Sequence, residues 1–144
     1  MAQQTGSSID VTASRPDVMA VISDFEAYPD WANVKRTEVL ERDASGRASR
    51  VRFVIDAGIV KDDYVLAFTW TGDERVDWTL AKPGSVVTVM DGAYLLTDSG
   101  RGTKVTYELT VDVRIPMIGM LKRKAERLIV DTALNGLKKR VEER

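Results

Sequence analysis

The chain has 144 residues, 44% of them hydrophobic and 30% charged, with a net charge of −1 at pH 7. That is enough for one domain with a sizeable core, and too apolar for a disordered chain. Cysteine and histidine are both absent, which excludes disulfides, thiolate nucleophiles, a Ser-His-Asp triad and the usual zinc sites.

The opening "MAQQTGSS" has neither the basic nor the apolar part of a secretory signal. No apolar run approaches the ~20 residues that span a bilayer. A disordered tail over residues 1–7, a single domain over 8–144 and a cytoplasmic location are therefore expected. "SIDVTAS" alternates apolar and polar residues and predicts a first strand. "SRPDVMAVISDF" carries helix-start signals: Ser14 as cap, Pro16 in the first turn, Asp17 three residues after the cap. Val18, Val21, Ile22 and Phe25 follow at helical spacing. "YPDW", Tyr28 to Trp31, predicts a turn or a single helical turn, stiffened by Pro29.

A long β region follows. In "ASRVRFVIDAG", Val51, Phe53, Ile55 and Ala57 share a face; in "DDYVLAFTWTG", Tyr64, Leu66, Phe68 and Trp70 do; in "ERVDWTL", Val76, Trp78 and Leu80. Asp62 and Asp63 read as ordinary turn residues at a strand start. "VVTVMDGAYLL" and "KVTYELTVDVRI" complete the run, the latter with Val105, Tyr107, Leu109, Val111 and Val113 pointing one way. The short turns between them predict an antiparallel meander with one wet face.

Pro116 opens a long amphipathic helix of about 25 residues. Its apolar positions are read as Ile118, Leu121, Ala125, Leu128, Ile129 and Thr132, with Leu134, Leu137 and Val141 alongside. Residues 114–144 hold nine Lys/Arg against four Asp/Glu, so this segment is the basic end of an otherwise acidic domain. The pattern is α+β: one curved antiparallel sheet of about six or seven strands burying its apolar face against one long C-terminal helix, with a short helical pair after the first strand.

The ordered set "RPDVMAVISDFEAYPDWANV", "VKDDYVLAFTW", "VDWTL" and "GTKVTYELTVDV", running into the long helix, resembles the START-like or Bet v 1-like (SRPBCC) superfamily. It looks nearest to the bacterial polyketide cyclase/dehydrase and lipid-transport group, which includes coenzyme Q-binding proteins. The resemblance spans nearly the whole chain and implies a helix-grip fold with a cavity between helix and sheet. An apolar or amphipathic small molecule is the ligand it implies: a lipid, an isoprenoid quinone or a polyketide-like compound.

On that expectation Tyr28 and Trp31 form a wall or lid. Phe53, Phe68, Trp70, Trp78, Tyr94 and Tyr107 line the sheet side, and Leu121, Ala125, Leu128 and Gly136 the helix side. Gly92, Ala93, Gly119, Ala125, Ala133 and Gly136 leave room. Plain core packing is the alternative for each aromatic. Arg52, Tyr64 and Asp91 are polar candidates for orienting the ligand. The plain reading of Arg52 and Asp91 is a solvent-facing position, and their facing stays open because a bulge shifts register.

A non-catalytic carrier or sensor needing no cofactor or metal is the leading expectation. A cyclase/dehydratase-type enzyme is the alternative, set back by the missing histidine and by the lack of an evident acid–base pair. An interaction module docking through its basic helix, against an anionic membrane surface, is a further one. Nucleic acid is not an expected partner, because no aromatic-interleaved basic strand is present. A monomer or weak dimer is expected.

Overall fold

The computed structural model describes residues 5–32, 34–57, 60–114 and 119–143, and within them leaves out the side chains of 57, 60, 119–122 and 125. Seven strands follow one another: β1 (Thr5–Val11), β2 (Arg36–Arg42), β3 (Ala48–Ala57), β4 (Val60–Thr71), β5 (Arg75–Lys82), β6 (Val87–Ser99) and β7 (Gly102–Val113). They form one antiparallel sheet in the order β1-β7-β6-β5-β4-β3-β2. All but β1 run as a meander, as short hairpin turns dictate. β1 pairs with β7, and its strand already begins at Thr5, opposite Leu109. Thr5, Gly6 and Ser7, expected in a tail, are thus ordered by backbone pairing that hydropathy does not reveal; residues 1–4 lie outside the described residues.

α1 (Arg15–Ser23) and α2 (Tyr28–Trp31), joined by a 3-10 turn at Phe25–Ala27, follow β1. Ser14 caps α1, its Oγ accepting from the Asp17 N–H at 3.3 Å. Val18, Met19, Val21 and Ile22 are buried beneath it.

α3 (Gly119–Glu142) packs on β1, β7 and α1 and touches α2. Its buried positions are Glu126, Val130, Leu134, Leu137 and Val141, an i, i+4, i+8, i+11, i+15 stripe. Leu128 and Ile129 are 68% and 42% exposed, against expectation. The first half of the helix carries two apolar stripes. The inward one is completed by a carboxylate, which a hydropathy pattern assigns to solvent. Glu126 is buried because Thr5 Oγ1 and the Val111 N–H each donate to it at 2.9 Å. At the far end Glu142 accepts from Thr12 N–H (2.9 Å), Thr12 Oγ1 (3.0 Å) and Lys138 Nζ (2.9 Å), tying α3 to the turn after β1. Among the described residues no helix is long and apolar enough to cross a membrane.

Candidate functional site

Directly opposed residues of neighbouring strands point to the same face of a sheet. The register opposes Phe53 with Tyr64, Phe68 with Trp78, Trp70 with Val76, Val76 with Tyr94, and Tyr94 with Tyr107. The expected aromatic set therefore lies on one continuous face. Its rings touch in sequence. Phe53 stacks near Tyr64 (6.0 Å between centroids), Phe68 lies against Trp78 (6.0 Å), and Trp78 meets Tyr94 (5.4 Å) and Tyr107 (5.5 Å). Tyr94 and Tyr107 sit edge to face at 4.7 Å.

The short helices close one side. Phe25 contacts Phe53, Phe68 and Trp70; Tyr28 lies on Phe25 at 4.8 Å, and Trp31 on Tyr28 at 4.8 Å. This is why an aromatic "YPDW" stands where a polar turn would otherwise serve: it wedges between sheet and helix. Trp70 is held at the rim by donating its Nε1–H to the Ala48 carbonyl at 2.7 Å, with the Arg47 guanidinium 5.2 Å above its ring.

All four tyrosines of the chain are buried within this interior. Tyr28 donates its hydroxyl to the Ile22 carbonyl. The hydroxyls of Tyr64, Tyr94 and Tyr107 have no hydrogen-bond partner among the described residues. Burial pushes all four phenols well above the ordinary 10.0. Tyr107 further raises Tyr28 and Tyr94, Tyr64 raises Tyr107, and Asp62 raises Tyr64. These hydroxyls are close enough to feel one another's charge. The indole Nε1 of Trp31 is fully buried without an acceptor among the described residues. Buried polar groups are normally paired, and among the described residues Trp31 Nε1 is the one fully buried side-chain polar atom that is not.

Several expectations are corrected. Arg52 lies on the outer face, its Nε donating to Asp63 Oδ1 at 2.7 Å and its guanidinium 3.7 Å from Glu38. Asp91 is exposed there too, accepting from Thr79 Oγ1 at 2.6 Å. Both alternate with inward neighbours, Phe53 and Gly92, and no bulge intervenes to turn them in. Leu128 points to solvent with the outer stripe of α3. The side chains of Leu121 and Ala125 lie outside the described residues.

Two glycines expected to leave space are filled, one by an indole ring and one by a backbone carbonyl. A Cβ on Gly92 would stand 2.4 Å from the Trp78 ring, and one on Gly136 2.7 Å from the Trp31 carbonyl oxygen. Asp62 is no turn residue. It is buried in β4 and accepts from the N–H groups of Asp63, Ser85, Val86 and Val87 at 2.7–3.2 Å, pinning the β5–β6 turn. Gly84 makes room for it, since a Cβ there would meet the carboxylate at 2.2 Å. The one sequence signal for this role was a doubled Asp opposite a "PGS" turn. A shallow surface depression beside it, lined by Lys35, Asp56, Lys61 and Ser85, includes none of the inward aromatics.

A family model described as polyketide cyclase / dehydrase and lipid transport matches residues 11–138. A START superfamily protein from Mycobacterium smegmatis is 24% identical, the match covering 97% of each chain with a TM-score of 0.89. A Thermus thermophilus protein is 25% identical over 96% of this chain and 97% of that one, with a TM-score of 0.80. The Zhui aromatase/cyclase from a Streptomyces is 15% identical over 100% of this chain and 96% of its own, with a TM-score of 0.82. These likenesses establish the START-like fold. No curated protein sequence matches the chain.

Proposed function

Because the chain belongs to the polyketide cyclase/dehydrase and lipid transport family, we propose that its aromatic interior binds a hydrophobic or amphipathic small molecule, and that the protein acts as a carrier or sensor. The observation that carries this is the gathering of Tyr64, Tyr94 and Tyr107, whose hydroxyls bond no described residue and influence one another, on a face otherwise built of rings. Hydroxyls that bond no protein group leave their hydrogen-bonding capacity for water or a ligand. Burial of apolar ligand surface supplies affinity at ~25 cal/mol per Å² before ordering costs. The rings touch one another, so a ligand enters by parting them. Phenols held protonated serve as hydrogen-bond donors and not as bases. The buried carboxylates Asp62 and Glu126 are already committed to other donors, which favours carriage over acid–base chemistry. The test is titration with an environment-sensitive naphthalene dye, followed by displacement with unlabelled aromatic ketones. Saturable, displaceable binding supports the reading; a dye that neither binds nor is displaced refutes it.

A second reading concerns α3. Leu128 and Ile129 are exposed beside Arg123, Lys124 and Arg127 on the basic end of the chain. Apolar residues flanked by cations suit an anionic membrane surface, the source from which a hydrophobic ligand would be collected. Leu128→Ser with Ile129→Ser is expected to abolish co-sedimentation with phosphatidylserine-containing vesicles. Binding to those vesicles that survives the double change would refute this docking face.

A further inference from the structure

Glycine inside a strand weakens it, so its placement there needs a reason. Gly92 lies near the middle of β6 and is not among the glycines with positive φ, so the backbone does not require it. Space does. The register lines up Phe68, Trp78, Gly92 and Leu109 across the sheet and continues to Thr5 on β1. Gly92 is the member of this inward row with no side chain, and the Trp78 indole folds over its bare backbone. A Cβ there would stand 2.4 Å from Cζ2, 2.5 Å from Cε2 and 2.7 Å from Nε1 of Trp78. Those atoms belong to one rigid ring, so none can yield alone. Sideways movement is blocked by Phe68, Tyr94 and Tyr107, whose ring centroids lie 6.0, 5.4 and 5.5 Å away. No hydrogen bond fixes this indole among the described residues, whereas Trp70 is held by its bond to the Ala48 carbonyl.

We infer that the Trp78–Gly92 pair sets the depth of the interior and so the bulk of ligand it admits. Glycine lets the indole lie close against the β6 backbone. Any side chain at position 92 would lift the indole off the sheet, into the space a ligand needs. This inference rests on the reading that the aromatic interior is a binding site. An indole over a glycine also covers bare backbone and supports the strand, but that role alone would not tie ligand size to residue 92. Close-packed interiors have little slack to absorb an added methyl group. A one-carbon change in an apolar site alters discrimination ~10–200-fold. Selection by bulk therefore lies in this pair, and not in a group that hydrogen-bonds the ligand.

The test is fluorescence titration of the intact chain with two dyes that share a polar group, one built on naphthalene and one on anthracene. Thermal unfolding checks that each variant folds. Gly92→Ala is expected to weaken the naphthalene dye ~10-fold or more. Adding Trp78→Phe to it is expected to restore affinity to within ~3-fold of the parent, because a single ring does not reach across to residue 92, and such non-additivity marks two residues in contact. Trp78→Phe alone leaves Gly92 bare and is expected to tighten the anthracene dye ~3–10-fold; it decides the matter if Gly92→Ala does not fold. A folded Gly92→Ala chain that binds the naphthalene dye like the parent would overturn the inference while leaving the binding site standing. So would a double variant that stays weak, or a Trp78→Phe chain that binds the anthracene dye no tighter. A parent chain that binds neither dye would overturn the site itself, and the inference with it.

Discussion

The backbone carbonyl of Trp31 closes on the bare Cα of Gly136, so near that a Cβ there would lie 2.7 Å from its oxygen. A mid-helix glycine costs ~1 kcal/mol relative to alanine; here it admits α2 against α3. Gly136→Ala should therefore destabilise the protein, by about 1–2 kcal/mol net, because overpacking outweighs the helix-propensity gain. Denaturant unfolding measures it. A midpoint that rises, as propensity alone dictates, would contradict the contact.

Trp31 contacts the ring of Tyr28, which rests on Phe25 and through it on the sheet aromatics. Trp31→Ala should cost ~2–3 kcal/mol, less than the ~3–5 of a fully buried aromatic, because its ring is only partly covered. It should also weaken binding of the naphthalene dye. Parent-like affinity in a protein that melts far earlier would show that "FEAYPDWANV" serves the fold and not the ligand.

Much of this was legible from residue alternation. Period two placed Phe53, Tyr64, Phe68, Trp70, Trp78, Tyr94 and Tyr107 on one face, and the register agrees residue by residue. The inward stripe of α3 was not legible. Leu128 and Ile129 compete with Val130 and Leu134 in any periodicity count, and only tertiary partners for Glu126, 15 and 121 residues away, settle which stripe is buried. Asp62 reads as a turn residue for the same reason. Its four backbone donors are supplied partly by residues 23 to 25 positions on, a relation no local pattern carries. Gly92 and Gly136 read as space in the sequence; only the tertiary fold brings an indole to one and a carbonyl to the other.

Removing the Glu126 carboxylate should expose that hidden dependence. Glu126→Ala strands the Val111 N–H and the Thr5 hydroxyl in the interior, and each buried donor left unmet costs ~1–3 kcal/mol. A loss of about 2–4 kcal/mol is expected, with faster amide exchange in β1. Unchanged stability would place the carboxylate in solvent.

The tyrosines make a clean pH probe, since none is exposed. Burial raises each folded-state phenol above the ordinary 10.0. The stability this confers is fully present below pH ~10. It is lost as pH climbs through the folded values, because the unfolded chain ionises first. Tyrosinate absorbance and circular dichroism should therefore change together, above pH ~10. Tyrosinate appearing near pH 10 with the dichroism intact would contradict the buried placement.

The central claim is that the aromatic interior binds a hydrophobic or amphipathic small molecule. A crystal structure of the complex with the naphthalene dye tests it most directly. The dye is expected on the inward face of the sheet, its ring plane against Trp78 and close to Tyr94 and Tyr107. Dye bound on the outer face of the sheet would contradict it.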